Sequence, residues 1–197
     1  MLFDKITIIG IGLIGSSLAR VIMKKGLAGK LCACDKNKEY LAEARELGIV
    51  DEISEDLGKA VENADLVVYA TPVGAYGEIT RQIVPHLKKG VILTDVGSIK
   101  KYSIREIEEN LPENADVVVV PGHPVAGTEK SGPANGFDTL FEGRWYIVTP
   151  SSRSTEEAVA KVSELWAAAR MKVDKMTPEH HDNCLLYTSP SPRDKRQ

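Results

Sequence analysis

Gly10-Ile11-Gly12-Leu13-Ile14-Gly15 follows directly on an apolar, β-branched run, Lys5–Gly10, and opens a helical pattern, Leu13–Lys25. No other feature limits the possible folds as much. A G-x-G-x-x-G turn between strand and helix needs one glycine for the tight turn, one for close backbone approach to a pyrophosphate and one for helix–strand packing. The free N–H groups and dipole of the following helix then stabilise phosphate charge. Asp35 closes the next strand pattern, Leu31–Asp35, twenty residues past Gly15. A carboxylate there accepts ribose hydroxyls and repels a 2′-phosphate. The expected cofactor is therefore NAD rather than NADP, held by Gly10, Gly12, Leu13, Ile14, Gly15 and Asp35.

The rest of the chain keeps the rhythm that this turn begins. Strand patterns follow at Asp65–Ala70, Val91–Asp95, Val117–Val120 and Trp145–Thr149, with a short one at Lys172–Met176 that would close the domain. Several, such as ITIIG, LVVYA and DVVVV, are nearly continuous apolar runs, which parallel strands covered on both faces require. Helical patterns lie between them at Lys38–Leu47, Ala75–His86, Ser103–Asn110 and Thr155–Arg170. Gly48 and Gly90 stand where C-terminal caps belong, and Ser154 or Thr155 suits the start of the last long helix. The predicted class is α/β, a doubly wound, mostly parallel sheet of Rossmann type.

Composition excludes some partners. With 25 basic and 28 acidic side chains the formal charge is −3, which gives no attraction to nucleic acid or an anionic membrane. No apolar run approaches the roughly 18 residues that span a bilayer. The opening Met1-Leu2-Phe3-Asp4-Lys5 leads straight into a strand, with no signal-peptide pattern before it. Three cysteines, Cys32, Cys34 and Cys184, make no disulfide framework and point to a reducing, cytoplasmic compartment. Cys32 and Cys34 alternate along one strand and read as two small buried side chains; no further ligands stand near them, so no metal site is expected.

Three polar segments are placed on the carboxyl edge of the sheet, where ligands of such folds bind. Thr71-Pro72-Val73 closes Asp65–Ala70 and is assigned to the cofactor. Asp95-Val96-Gly97-Ser98-Ile99-Lys100 closes Val91–Asp95. Pro121-Gly122-His123-Pro124-Val125-Ala126-Gly127-Thr128-Glu129-Lys130-Ser131-Gly132 follows Val117–Val120. A histidine between glycine and proline is held by its backbone, and imidazole is the side chain whose pKa suits proton abstraction near neutrality. His123 is the candidate catalytic base.

Taken together, GIGLIGSSLAR, TPV, DVGSIK, GHPVAGTEKSG and FEGRWYIVTP resemble the prephenate dehydrogenase family, over residues 5 to about 183, and the histidine segment is the most discriminating part. The resemblance implies an NAD-dependent oxidative decarboxylation of prephenate to 4-hydroxyphenylpyruvate in tyrosine biosynthesis. It implies that His123 accepts the proton of the substrate's ring hydroxyl and that Ser98 bonds that hydroxyl and orients the imidazole. It also implies that Glu129 is an acid governing substrate access. Of His180-His181-Asp182, it carries over His181, at the substrate, and Asp182. Arogenate in place of prephenate is the nearest alternative. A β-hydroxyacid dehydrogenase would instead use a lysine on a later helix, without a GHPVAG-type segment. An NAD-binding module without catalysis is the reading from another class.

The resemblance also implies a division of the chain. Residues 1–176 form the dinucleotide-binding domain. Residues 177–183, with Pro178 in a first helical turn, begin a mostly helical domain that dimerises and supplies a substrate arginine in family members. Residues 184–197, CLLYTSPSPRDKRQ, resemble a translated transposase sequencing adapter, so the chain is expected to be the N-terminal part of a longer homodimeric enzyme.

Overall fold

A computed structural model describes residues 1–188. Six parallel strands make the main sheet: β1 (Phe3–Ile9), β2 (Ala28–Cys34), β3 (Glu52–Ser54), β4 (Leu66–Tyr69), β5 (Val91–Asp95) and β6 (Val117–Val120), in the order β3-β2-β1-β4-β5-β6. The order reverses between β1 and β4, which is where a doubly wound sheet opens its ligand crevice. The register levels the carboxyl ends there. Ile9 lies opposite both Cys34 and Tyr69, and Tyr69 lies opposite Asp95. The residues that follow those four positions therefore share one rim.

The apolar runs are explained by cover on both faces. Ile6, Ile8, Leu66 and Val68 face one core, which includes Leu18, Ile22 and Trp166. Ile9, Val67, Tyr69 and Leu93 face the other, with Tyr76, Ile83 and Ile107. The helices are α1 (Leu13–Lys25), α2 (Lys38–Glu46), α3 (Leu57–Val61), α4 (Tyr76–Ile83), α5 (Lys100–Glu108), α6 (Glu156–Ala168) and α7 (Pro178–Thr188). Gly48 and Gly90 adopt φ of +63° and +72°, the left-handed conformation that glycine takes without strain. Thr155 caps α6 by accepting from the Ala158 N–H. Cys32 and Cys34 are free and buried in the second core.

The last two strand patterns do not extend the main sheet. Trp145–Val148 (β8) and Lys172–Lys175 (β9) form a separate three-stranded sheet with Gly122–Pro124 (β7). β7 and β8 are antiparallel, β8 and β9 parallel. The change of sheet falls at Pro121, after which the chain leaves β5 and pairs with β8. Tyr146 on β8 stacks on Trp166 of α6 at 4.7 Å between centroids, which binds the small sheet to the first core. The short elements β3, α3 and β7 stand where no strand or helix is expected from the sequence, and α5 begins at Lys100 instead of Ser103. α7 packs on α5 and runs past Cys184 to Thr188. The remainder of the expected foreign tail lies outside the described residues.

Candidate active site

Each glycine of the turn stands in the environment its role requires. Gly10 has φ of +98°, and a Cβ there would lie 2.5 Å from the Ala70 carbonyl oxygen. A Cβ on Gly15 would meet the Gly10 carbonyl at 2.0 Å, so α1 approaches β1 as closely as backbone permits. A Cβ on Gly12 would meet nothing within 4 Å. That open space lies at the start of α1, whose first turn has neither a side-chain cap nor an acidic residue. Leu13 and Ile14 are half-buried beside it.

Asp35 stands on the same rim. Its Oδ2 accepts from the Ile11 N–H at 2.8 Å and its Oδ1 from the Asn37 N–H at 2.9 Å, which fixes the carboxylate beside the glycine turn. An ionised carboxylate has about four lone-pair sites, so acceptors remain for two hydroxyls. Asn37 caps α2 through Glu39 and Tyr40. Thr71 is half-buried at the end of β4 and its buried Oγ1 has no partner among the described residues. Pro72 is exposed and Val73 half-buried in the turn that follows. An open cradle at an uncapped helix start, a fixed acid and an orphaned hydroxyl fit a dinucleotide.

His123 lies on β7, opposite Ile147 of β8. A Cβ on Gly122 before it would lie 1.9 Å from the Tyr146 hydroxyl, so a larger residue there would have to displace that buried ring. The imidazole is not free. Its Nδ1 lies 2.9 Å from Nε2 of His181, and Nδ1 of His181 lies 2.8 Å from Oδ1 of Asp182. Asp182 in turn caps α5, accepting from the N–H groups of Lys100 at 2.8 Å and Lys101 at 3.0 Å.

Protonation follows along this chain of contacts. Burial alone would raise Asp182. The backbone bonds from Lys100 and Lys101, with the bond from His181, outweigh it and hold the carboxyl below the usual range. Asp182 is therefore an acceptor, and His181 must present Nδ1–H to it. Burial lowers the His181 pKa, against the pull of Asp182, so that ring is neutral and its Nε2 accepts. His123 must then donate through Nδ1. Its own pKa is pushed down to about 3, first by burial, then by the Lys100 ammonium and by His181. The result is a neutral imidazole whose Nε2 keeps its lone pair.

Beneath His123 is a closed ionic cluster. Lys100 and Asp95 are both fully buried. The Lys100 ammonium donates to Asp95 Oδ1 at 2.7 Å, to Asp95 Oδ2 at 2.6 Å and to the Gly122 carbonyl at 2.6 Å. Asp95 also accepts from the Gly97 and Gly122 N–H groups. No group of three metal-ligating side chains occurs among the described residues.

His181 and Asp182 thus lie beside His123, a contact that the resemblance, which carried His181 over as a residue at the substrate, does not imply. Ser98 does not bond to it: it is exposed on the turn before α5 and makes no side-chain hydrogen bond among the described residues. Glu129 is exposed on the segment after β7, likewise without a partner there. Sequence reasoning assigned no role to Lys100 or Asp95. An acid and a lysine five positions apart across a turn carry no signal of burial.

A six-stranded parallel sheet with its glycine turn at the β1–α1 corner and its polar residues on the carboxyl rim is a Rossmann-type nucleotide-binding domain. The family profile described as "Prephenate dehydrogenase, nucleotide-binding domain" matches residues 18–175, and the chain belongs to that family. The chain is 38% identical over 190 residues to cyclohexadienyl dehydrogenase of Zymomonas mobilis, covering 96% of itself but 64% of that protein. It thus spans less than two thirds of that relative's length. Prephenate dehydrogenase of Aquifex aeolicus, solved with hydroxyphenyl propionate and NAD+, superimposes with a TM-score of 0.82 at 29% identity, over 95% of this chain and 71% of that one. Arogenate dehydrogenase of Synechocystis gives 0.86 at 28%, over 94% and 64%. No helix among the described residues is long and apolar enough to cross a membrane.

Proposed function

We propose that the protein is the nucleotide-binding part of an NAD-dependent prephenate dehydrogenase. In that reaction prephenate loses its ring carboxylate as carbon dioxide and becomes 4-hydroxyphenylpyruvate, a step of tyrosine biosynthesis. One observation carries the reading: the contact chain Asp182–His181–His123 ties up Nδ1 of His123 and leaves Nε2 as its proton-accepting nitrogen, on a ring that burial keeps neutral. NAD, when bound, supplies the hydride acceptor for the ring carbon that bears the hydroxyl.

The chain's own residues divide the remaining work. Gly10, Gly12 and Gly15 admit the pyrophosphate to the start of α1, and Asp35 takes the adenosine ribose hydroxyls. Thr71, Pro72 and Val73 line the same rim at the end of β4. His123 accepts the ring-hydroxyl proton through Nε2 as carbonyl character develops at that carbon, and loss of the carboxylate then makes the ring aromatic. Ser98, exposed on the turn before α5, is read as a hydrogen-bonding group for the substrate hydroxyl. Glu129, exposed on the segment after β7, is read as an acid governing substrate access. α7 is read as the first helix of a substrate and dimer-forming portion, and the buried free thiols suit a reducing, cytoplasmic setting.

Arogenate is the second reading, favoured by the likeness to the Synechocystis enzyme. Following nicotinamide reduction with each substrate, for the unmodified enzyme and for His123→Asn, tests both. Turnover that depends on His123 supports the assignment. Undiminished turnover in the variant refutes it, and the preferred substrate decides between the two readings.

A further inference from the structure

Lys100 is fully buried at the first position of α5, and all three of its ammonium protons are committed. Burying an ammonium and a carboxylate together is heavily penalised, and a well-packed apolar pair commonly stabilises a core as well. The pair's geometry suggests what it does besides fill space. Asp95 accepts the Gly122 N–H and Lys100 donates to the Gly122 carbonyl, so the two charges hold both backbone groups of the residue before His123. β7 has three residues and one strand partner, β8. Its other side is held by this ion pair. The Lys100 N–H also binds Asp182, which bonds His181, the second attachment of the imidazole.

We propose that Lys100 is the positioning residue of this site: through Gly122 on one side and Asp182 on the other, it fixes where His123 presents its free ring nitrogen. The inference rests on reading His123 as the proton acceptor. Lys100 does not itself meet substrate, since it is inaccessible and has no proton left to donate. The charged and titratable groups around His123 are Lys100 on α5, Asp95 at the end of β5, and His181 and Asp182 on α7. Loss of the lysine therefore alters both the position of His123 and the field on it.

Nitrogen NMR of the labelled chain, read for the His123 tautomer and its titration, is the test. In the unmodified chain His123 should keep its Nδ1–H form and stay neutral well below pH 6.5. In Lys100→Met, the buried Asp95 charge is left unbalanced, and the His123 pKa should rise by on the order of 1–3 units with its tautomers mixed. In Asp95→Asn/Lys100→Met, which leaves no unpaired charge, a smaller rise of about one unit should remain. A lysine that only supports the fold would lower the melting temperature and leave both readings on His123 unchanged. That result, in either folded variant, overturns the proposal. In the unmodified chain, Lys100 should also show a charged, exchange-protected ammonium at neutral pH. A neutral amine there overturns it too, whether or not the variants fold. None of these readings uses turnover, so they stand apart from the fate of His123 as base.

Discussion

His123→Asn should make the protein less sensitive to acid. The sequence alone sets this histidine near the ordinary value of about 6.5, whereas in the fold its pKa is pushed down to about 3 by burial, then by Lys100 and His181. Between those two values the unfolded chain takes up a proton at this residue and the folded chain does not. Stability is therefore fully present above about pH 6.5 and falls as the pH drops from there towards 3. Each unit amounts to about 1.4 kcal/mol, so the loss from His123 is about 2 kcal/mol at about pH 5. That figure holds for any folded value well below 5. For a chain of this size it corresponds to roughly 4–8 °C in melting temperature. Asn at 123 can still donate from Nδ2 to His181 and leaves no buried acceptor orphaned. His181 is also lowered by burial, so the variant should keep a residual acid loss of the same sign. Denaturant titrations of both proteins, at about pH 7 and about pH 5, measure the difference in slope. Equal losses in the two would mean that His123 titrates normally in the fold, and the neutral relay would be wrong.

The other expectations concern the two halves of the site. His123→Asn should lower turnover by on the order of 10²–10⁴, and Ser98→Ala by less, in a steady-state assay of nicotinamide reduction. The acid limb of the unmodified enzyme should lie well below pH 6.5, because the base stays neutral there; a limb near 6.5 would contradict the buried site. Calorimetric titration should favour NAD over NADP by roughly 2–4 kcal/mol, and Asp35→Asn should narrow the gap; equal affinities would remove Asp35 from the ribose. Gly12→Ala should melt like the unmodified chain yet bind NAD poorly, because its Cβ occupies only the open space. Gly15→Ala should fold poorly, because its Cβ would lie 2.0 Å from a carbonyl oxygen.

The part of the fold legible in the sequence is the part governed by local rules. The glycine turn fixes a strand before it and a helix after it, and continuous apolar runs fix parallel strands with two covered faces. What escaped was non-local. Lys172–Met176 reads as a strand from its own residues, but so short a run carries no information on which sheet it joins; β9 pairs with β8, outside the main sheet. β3 escaped for a related reason: Glu52-Ile53-Ser54 is a short edge strand with one neighbour, one residue exposed and two half-buried.

The site divides along the same line. His123 was legible because glycine and proline on either side hold its backbone, and Asp35 because it closes a strand at a fixed distance from Gly15. Both are read as residues that would touch substrate or cofactor. The residues that set the protonation state of His123 are separated from it by 58 positions, in the case of His181, or hidden inside the rim, in the case of Lys100. Resemblance placed His181 near the substrate; geometry makes it the partner of His123, with Asp182 fixing its tautomer from the start of α5. A histidine acting as a base needs three things set: a position, a proton count and a tautomer. Here position comes from Gly122, proton count from burial and the Lys100 charge, and tautomer from Asp182. Lys100 bears on all three, because its side chain holds Gly122, its charge opposes protonation and its N–H anchors Asp182. On the proposed reading, a motif that names only the histidine points to the acceptor, and the turn and helix after β5 set its position, proton count and tautomer.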